Sequence, residues 1–107
     1  MRKRWGWMLT LLKGKHFKVK LLYFEQGGSI SMQRHQHRRE LWLFIFGTGT
    51  MLRLDGRNNE IEIKGKLDGG YLEVDHTMWH QYKAKKPTLV LEVQYGHKCS
   101  ERDIERA

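Results

Sequence analysis

Glycine divides this chain into pieces that suit strands and little else. Gly27-Gly28, Gly47 with Gly49, Asp55-Gly56, Gly65 and Gly69-Gly70 punctuate it at near-regular intervals, and glycine gives tight turns the backbone freedom they need. Between these points lie runs rich in aromatic and β-branched residues. Phe17-Lys18-Val19-Lys20-Leu21-Leu22-Tyr23-Phe24 alternates Lys18 and Lys20 with Phe17, Val19 and Leu21. Ile61-Glu62-Ile63-Lys64 alternates cleanly, and Tyr71 to Val74, His80 to Tyr82 and Leu89 to Tyr95 read as further strands. Trp5 to Leu12 reads as an N-terminal strand laying aromatics on the core. No helical stripe of useful length precedes the tail, where Ser100 and Asp103 have the spacing of one capped helical turn. Short strands between glycine turns make the fold all-β, a barrel or a double-sheet jelly roll.

The stretch with chemical content is Gln33-Arg34-His35-Gln36-His37-Arg38-Arg39-Glu40. It runs directly into Leu41-Trp42-Leu43-Phe44-Ile45-Phe46, which is apolar on both sides and therefore reads as a central, covered strand. Ser29 to His37 reads as one strand with Ile30 and Met32 on one face and Ser31, Gln33, His35 and His37 on the other. Residues two apart share a face, so both histidines point the same way, and a polar inner face belongs to a strand that lines a pocket. His80 follows some forty residues later. His35, His37, Glu40 and His80 offer the N and O donors that suit a divalent transition ion such as Zn, Co, Mn or Fe. One register problem stands in the way. A regular strand with His35 and His37 inward turns Leu41 inward and Glu40 outward, so a bend or bulge near Arg38-Arg39 is needed to bring Glu40 in.

Size and charge narrow the setting. With 107 residues, the chain is expected to form one domain, 1–107. One cysteine, Cys99, permits no internal disulfide and fits a reducing, cytoplasmic compartment. The start, Met1-Arg2-Lys3-Arg4 before an apolar run, superficially resembles a signal peptide, but Lys13 and Lys15 follow at once and no small-x-small cleavage site appears. It is too short to span a bilayer, so no membrane partner is expected. The net charge of +8 attracts anions. With no RNA-binding signature or recognition helix, a nucleic-acid partner is not expected. The doubly apolar strand, with Trp5, Trp7 and Trp79 still to be placed, suggests a further covered surface and a symmetric homodimer.

These motifs resemble the cupins, and more narrowly the cupin domain of type II phosphomannose isomerases. That domain also closes the bifunctional mannose-1-phosphate guanylyltransferases. Arg4-Trp5-Gly6 resembles the family's R-P-W-G, and Phe17-Lys18-Val19-Lys20 its F-K-V-K. Gly27-Gly28 to Gln33 resembles P-G-G-x-L-S-L-Q, His35 to Trp42 resembles H-x-H-R-x-E-x-W, and Leu91 to Gly96 with Asp103-Ile104 resembles E-V-Q-x-G and D-D-I. The chain departs from the pattern at Leu41, where the family usually has His. It departs again at Asp75 to His80, where the family has P-x-G-x-x-H, and at Ala84 to Pro87.

The resemblance implies a cupin jelly-roll (double-stranded β-helix) barrel, a divalent metal in its mouth, and interconversion of mannose 6-phosphate and fructose 6-phosphate. Nothing in the sequence resembles the nucleotidyl-transfer half. Such an isomerisation needs a Lewis acid on the substrate oxygens and a base beside the carbon that loses its proton. His35, His37, Glu40 and His80 are the expected metal ligands. Glu40, Tyr82 and His76 are the candidate bases. Arg38 is a further candidate catalytic residue, and Gln33, Arg38, Lys18 and Lys83 are the expected contacts to a small sugar-phosphate substrate. The alternative is a non-catalytic cupin module that binds a sugar, sugar phosphate or nucleotide sugar.

Overall fold

The computed structural model of the chain describes residues 1–54, 60–66, 70–75, 78–96 and 104–106, with residues 54, 60–66 and 105 as backbone alone. Among the described residues every regular element is a strand. In chain order they are β1 (Arg2–Lys3), β2 (Gly6–Lys13), β3 (Phe17–Phe24), β4 (Gln33–Arg34), β5 (Arg38–Phe46), β6 (Thr48–Leu54), β7 (Glu60–Lys66), β8 (Tyr71–Val74), β9 (Trp79–Ala84), β10 (Thr88–Gly96) and β11 (Glu105–Arg106). They form a six-stranded sheet, β1-β2-β3-β10-β5-β8, facing a five-stranded sheet, β11-β4-β9-β6-β7. All pairings are antiparallel, and from β5 to β10 the chain passes repeatedly between the two sheets. This is the expected jelly roll. Asp55-Gly56, His76, His97, Cys99 and the turn expected over Ser100 to Asp103 lie outside the described residues. Glu105–Arg106, assigned from sequence to the helical tail, is instead a strand paired with β4.

The strands carry two kinds of interior. Along β3 the buried positions are Lys18, Lys20, Leu22 and Phe24. Along β5 they are Arg38, Glu40, Trp42 and Phe44, and along β10 Thr88, Val90, Glu92 and Gln94. Each strand thus turns an apolar stretch into one end of the barrel and a polar stretch into the other. The apolar end is closed by Phe24, Trp42, Phe44, Met51, Tyr82, Ala84 and Val90. Phe24 and Tyr82 meet edge to face at 5.0 Å, and Trp5 stacks on Phe24 at 4.5 Å. Full burial of such side chains stabilises by about 1.5–3 kcal/mol each, which lets the opposite end hold charges. Gly49 lies here because any Cβ would collide with the Tyr82 ring and the Lys83 carbonyl.

The strand expected from Ser29 to His37 is broken. Only Gln33–Arg34 is strand, with one isolated bridge from Ser29 to Lys83 before it. The chain bends at Gln36-His37, where it leaves the five-stranded sheet for the six-stranded one. That bend resolves the register problem. His35 faces in before it, Arg38 and Glu40 face in after it, and His37 is left on the surface.

The outer face of the six-stranded sheet is apolar. Cross-strand register places Leu9, Leu21, Leu91, Leu43 and Tyr71 in one row. Leu12, Val19, Val93 and Leu41 form the next row. Leu9 is 52% exposed and Tyr71 67%. Leu41 to Phe46 is therefore central, as its composition demands. Its inner face is covered by the barrel core, while on its outer face Ile45 is exposed.

Candidate functional site

Glu40 sits at the centre of the polar end, 1% exposed. Its carboxylate accepts from Trp42 Nε1 at 2.9 Å on one oxygen, and from Arg38 Nε at 3.2 Å and Nη2 at 3.0 Å on the other. Strand alternation explains the set, since Arg38, Glu40 and Trp42 are successive inward residues of β5. His35 arrives from the end of β4, with Nε2 3.0 Å from Glu40 Oε2. His80 arrives from β9, opposite Gln33 in register, with Nε2 3.5 Å from Glu40 Oε1. The rings of His35 and His80 are 5.5 Å apart. Burial alone would raise the Glu40 carboxyl, but hydrogen bonds and charge from His35 and His80 override it and hold the group well below the usual carboxylate range.

One nitrogen from each histidine and one Glu40 oxygen lie within 4.8 Å of one another, so the group could hold a metal ion. The donor set fits a divalent transition ion. His80 Nδ1 is 3.2 Å from the Met78 carbonyl. Donation there turns Nε2 toward Glu40 and would leave it, once deprotonated, with a lone pair for an ion, the usual second contact of a metal-binding histidine. Arg38 adds a condition. Its Nη2 is 3.0 Å from His35 Nε2, and a guanidinium only donates. His35 Nε2 either accepts from Arg38 or carries a proton toward Glu40. An ion bound to it displaces both.

The group opens into a cavity of about 500 Å³, within the range of small-molecule sites. Gln33, Arg38, Glu40 and His80, all expected at the site, line it. Five other expected residues do not; of these, His35 is buried and joins the ligand group without lining the cavity. His37 is exposed beyond the bend and falls outside the His35-Glu40-His80 group. Tyr82 belongs to the apolar core, where its hydroxyl is 3.1 Å from Thr88 Oγ1. Thr88 Oγ1 in turn donates to the Lys86 carbonyl, so Tyr82 is the donor of that pair. Burial pushes the Tyr82 phenol up, with the Thr88 hydrogen bond pulling the other way, and the ring does not line the cavity. Lys83 is exposed, off the cavity. Lys18 is buried beside Gln94 on the neighbouring strand without lining the cavity.

Their places are taken by other residues. Lys3 and Arg4 come from the N-terminal arm, Lys20 from β3 and Arg106 from β11, so cations from three parts of the chain ring one space. Glu92 and Gln94 face in from β10. Gln94 Nε2 donates to Glu92 Oε1 at 2.6 Å, while Gln94 Oε1 is buried without a hydrogen-bond partner. Burial, then the charge of Glu40, pushes the Glu92 carboxyl up to about 8 against the pull of Arg38, Gln94 and Lys20. The available signal was the alternation itself. Glu and Gln two apart in Leu89-Val90-Leu91-Glu92-Val93-Gln94 put polar groups on one face of an otherwise apolar strand.

Comparison with known proteins agrees with this geometry. The family described as mannose-6-phosphate isomerase C-terminal matches residues 1–107. The xanthan biosynthesis protein XanB of Xanthomonas campestris pv. campestris is 30% identical over 102 residues, covering 95% of this chain and 21% of its own length. The mannose-1-phosphate guanylyltransferase ManC of Salmonella typhimurium is 28% identical, covering 95% and 20%. The chain thus spans about a fifth of these relatives. Among solved structures, oxalate decarboxylase from Bacillus subtilis superposes with a TM-score of 0.77 at 14% identity, over 86% of this chain and 24% of that one. Another structure of that enzyme is described by its Mn(II) centres. A double-stranded β-helix protein from Klebsiella pneumoniae superposes with a TM-score of 0.73 at 16% identity, over 92% and 80%. These likenesses establish the cupin fold. Among the described residues no helix is long and apolar enough to cross a membrane.

Proposed function

Because the chain belongs to the mannose-6-phosphate isomerase C-terminal family, we propose that it is a metal-dependent isomerase interconverting mannose 6-phosphate and fructose 6-phosphate in cytoplasmic mannose and polysaccharide metabolism. The observation that carries this reading is the convergence of His35, Glu40 and His80, with Glu40 and His80 lining a cavity ringed by Lys3, Arg4, Lys20 and Arg106. His35, Glu40 and His80 would hold the ion, with Zn, Co, Mn or Fe suited to such donors. A bound divalent ion supplies Lewis acidity to the substrate's carbonyl and hydroxyl oxygens.

The chain's own residues do the rest. The cations at the mouth attract and fix a phosphate, which suits paired and charged donors. Gln33 and the unpartnered Oε1 of Gln94 offer contacts to sugar hydroxyls. Arg38 holds Glu40 in one orientation. A coupled assay for mannose 6-phosphate turnover, with Zn²⁺, Co²⁺ or Mn²⁺ and then with chelator, tests the reading. Turnover abolished by chelator is the expected result, and its absence with every ion defeats the proposal.

A second reading, a cupin module that binds a sugar phosphate without turning it over, draws on Arg38. Its Nη2 stands 3.0 Å from both His35 Nε2 and Glu40 Oε2, already placing a positive charge among the ligand atoms. Calorimetric binding of fructose 6-phosphate by a metal-free, inactive chain would favour it. Either form is proposed to work as a homodimer paired through the apolar outer face of the six-stranded sheet. That face is nearly charge-free along its two central rows, and an isologous contact lets each row meet its copy.

A further inference from the structure

The metal centre leaves the isomerisation short of a group to move the proton. Among the described residues, the acidic side chains lining the cavity are Glu40 and Glu92. Glu40 is engaged on both oxygens by Trp42 and Arg38 and lies against two histidines. Glu92 is differently placed. It faces the same cavity from β10, between Lys20 on β3 and Trp42 on β5. It is 5% exposed, whereas Arg4 and Arg106 at the mouth are exposed. A phosphate held at the mouth therefore directs the far end of the sugar toward the depth where Glu92 lies. Gln94 Nε2 fixes Glu92 Oε1 at 2.6 Å, and its free Oε1 is available to a substrate hydroxyl.

We propose that Glu92 is the catalytic residue that carries the proton between the two adjacent carbons of the sugar, with Gln94 as its positioning residue. The assignment rests on the isomerase reading above. In the aldose-to-ketose direction, the Glu92 carboxylate takes the proton from C2. The C–H electron pair forms the C1–C2 double bond, and the carbonyl pair moves to O1, which gains a proton. The O2 hydroxyl then loses its proton as its pair forms the C2 carbonyl, and C1 takes the proton back from Glu92. One hydrogen moves from C2 to C1, one proton leaves O2 as one joins O1, and no external oxidant or reductant is needed.

The test compares the metal-loaded chain with Glu92→Gln and Glu92→Asp, using mannose 6-phosphate and fructose 6-phosphate in D₂O. Glu92→Gln matches the protonated carboxyl in shape and charge, so its melting temperature, metal content and calorimetric affinity for fructose 6-phosphate should match the parent. The expected result is a loss of kcat by about 10²–10⁴-fold, with KM within a few-fold. The parent should wash solvent deuterium into C1 or C2, and Glu92→Asp should recover part of the rate. Glu92→Gln retaining kcat within threefold overturns the assignment while leaving the isomerase reading intact. So does a parent that transfers the C2 hydrogen with no solvent exchange over many turnovers. A parent that turns over neither sugar with any ion overturns the isomerase reading and the assignment together.

Discussion

Arg38 Nη2 and Glu40 Oε2 both lie 3.0 Å from His35 Nε2, so a guanidinium and a carboxylate compete for one ring nitrogen. The pair sets the terms on which a cation enters. Replacing Arg38 with Gln removes a like charge and frees the His35 lone pair. The divalent affinity measured by calorimetry should rise by about tenfold, some 1.4 kcal/mol. In the metal-free state the same substitution leaves a buried carboxylate short of its partner, so the variant should be markedly less stable to urea and regain stability with metal. Unchanged affinity would mean that Arg38 does not oppose the ion.

The histidines should separate cleanly. His35→Ala and His80→Ala should abolish stoichiometric metal uptake, since each removes one of the three converging ligand atoms. His37→Ala should leave uptake and melting temperature near the parent values, because His37 is exposed past the bend. Metal content by mass spectrometry decides it, and a loss of metal in His37→Ala would show that the bend brings that ring inward.

Glu92 makes stability depend on pH. Its folded carboxyl titrates at about 8 against a reference of 4.5. The unfolded chain gives up this proton first, so the contribution is full below the reference value and lost as pH rises through about 8. In the metal-free chain the loss should be on the order of a few kcal/mol, read by urea denaturation between pH 5 and 9. Glu40 runs the other way. Its carboxyl is held low, so its contribution is present above the reference value and disappears as pH falls through the folded value. Glu92→Gln should flatten the alkaline limb and spare the acid one. A limb that survives in Glu92→Gln assigns it to another group.

The apolar outer face predicts association. Light scattering at micromolar concentration should report twice the chain mass, and Ile45→Lys should return a folded monomer. Ile45 is already 51% exposed, so the substitution costs the monomer little. A parent that sizes as a monomer removes the homodimer.

Much of this architecture was legible in local pattern. Strand positions follow from glycine spacing and two-residue alternation, and β8 falls on Tyr71–Val74 as read. The donors were legible as well, because His35, Glu40 and His80 are residue types whose chemistry needs no fold to recognise. What misled was orientation. Lys18 and Lys20 point inward with Leu22 and Phe24 while Phe17, Val19 and Leu21 face out, a direction that alternation by itself leaves open. His37 read as a ligand because two-residue spacing assumes an unbroken strand, and the strand ends at Arg34.

Alternation along a strand says which residues share a face, and it is unchanged by a slip that exchanges the two faces. Which face points inward is settled only when eleven strands among the described residues close into two opposed sheets. Closure put polar groups at one end of the barrel because the apolar end already buries enough to stabilise it. It also drew Glu92, Gln94, Lys20 and Arg106, far apart in the chain, to one cavity. Local residue pattern therefore carried the strands and the donor atoms, while the inward direction and the company each side chain keeps came from long-range pairing that no short window of sequence contains.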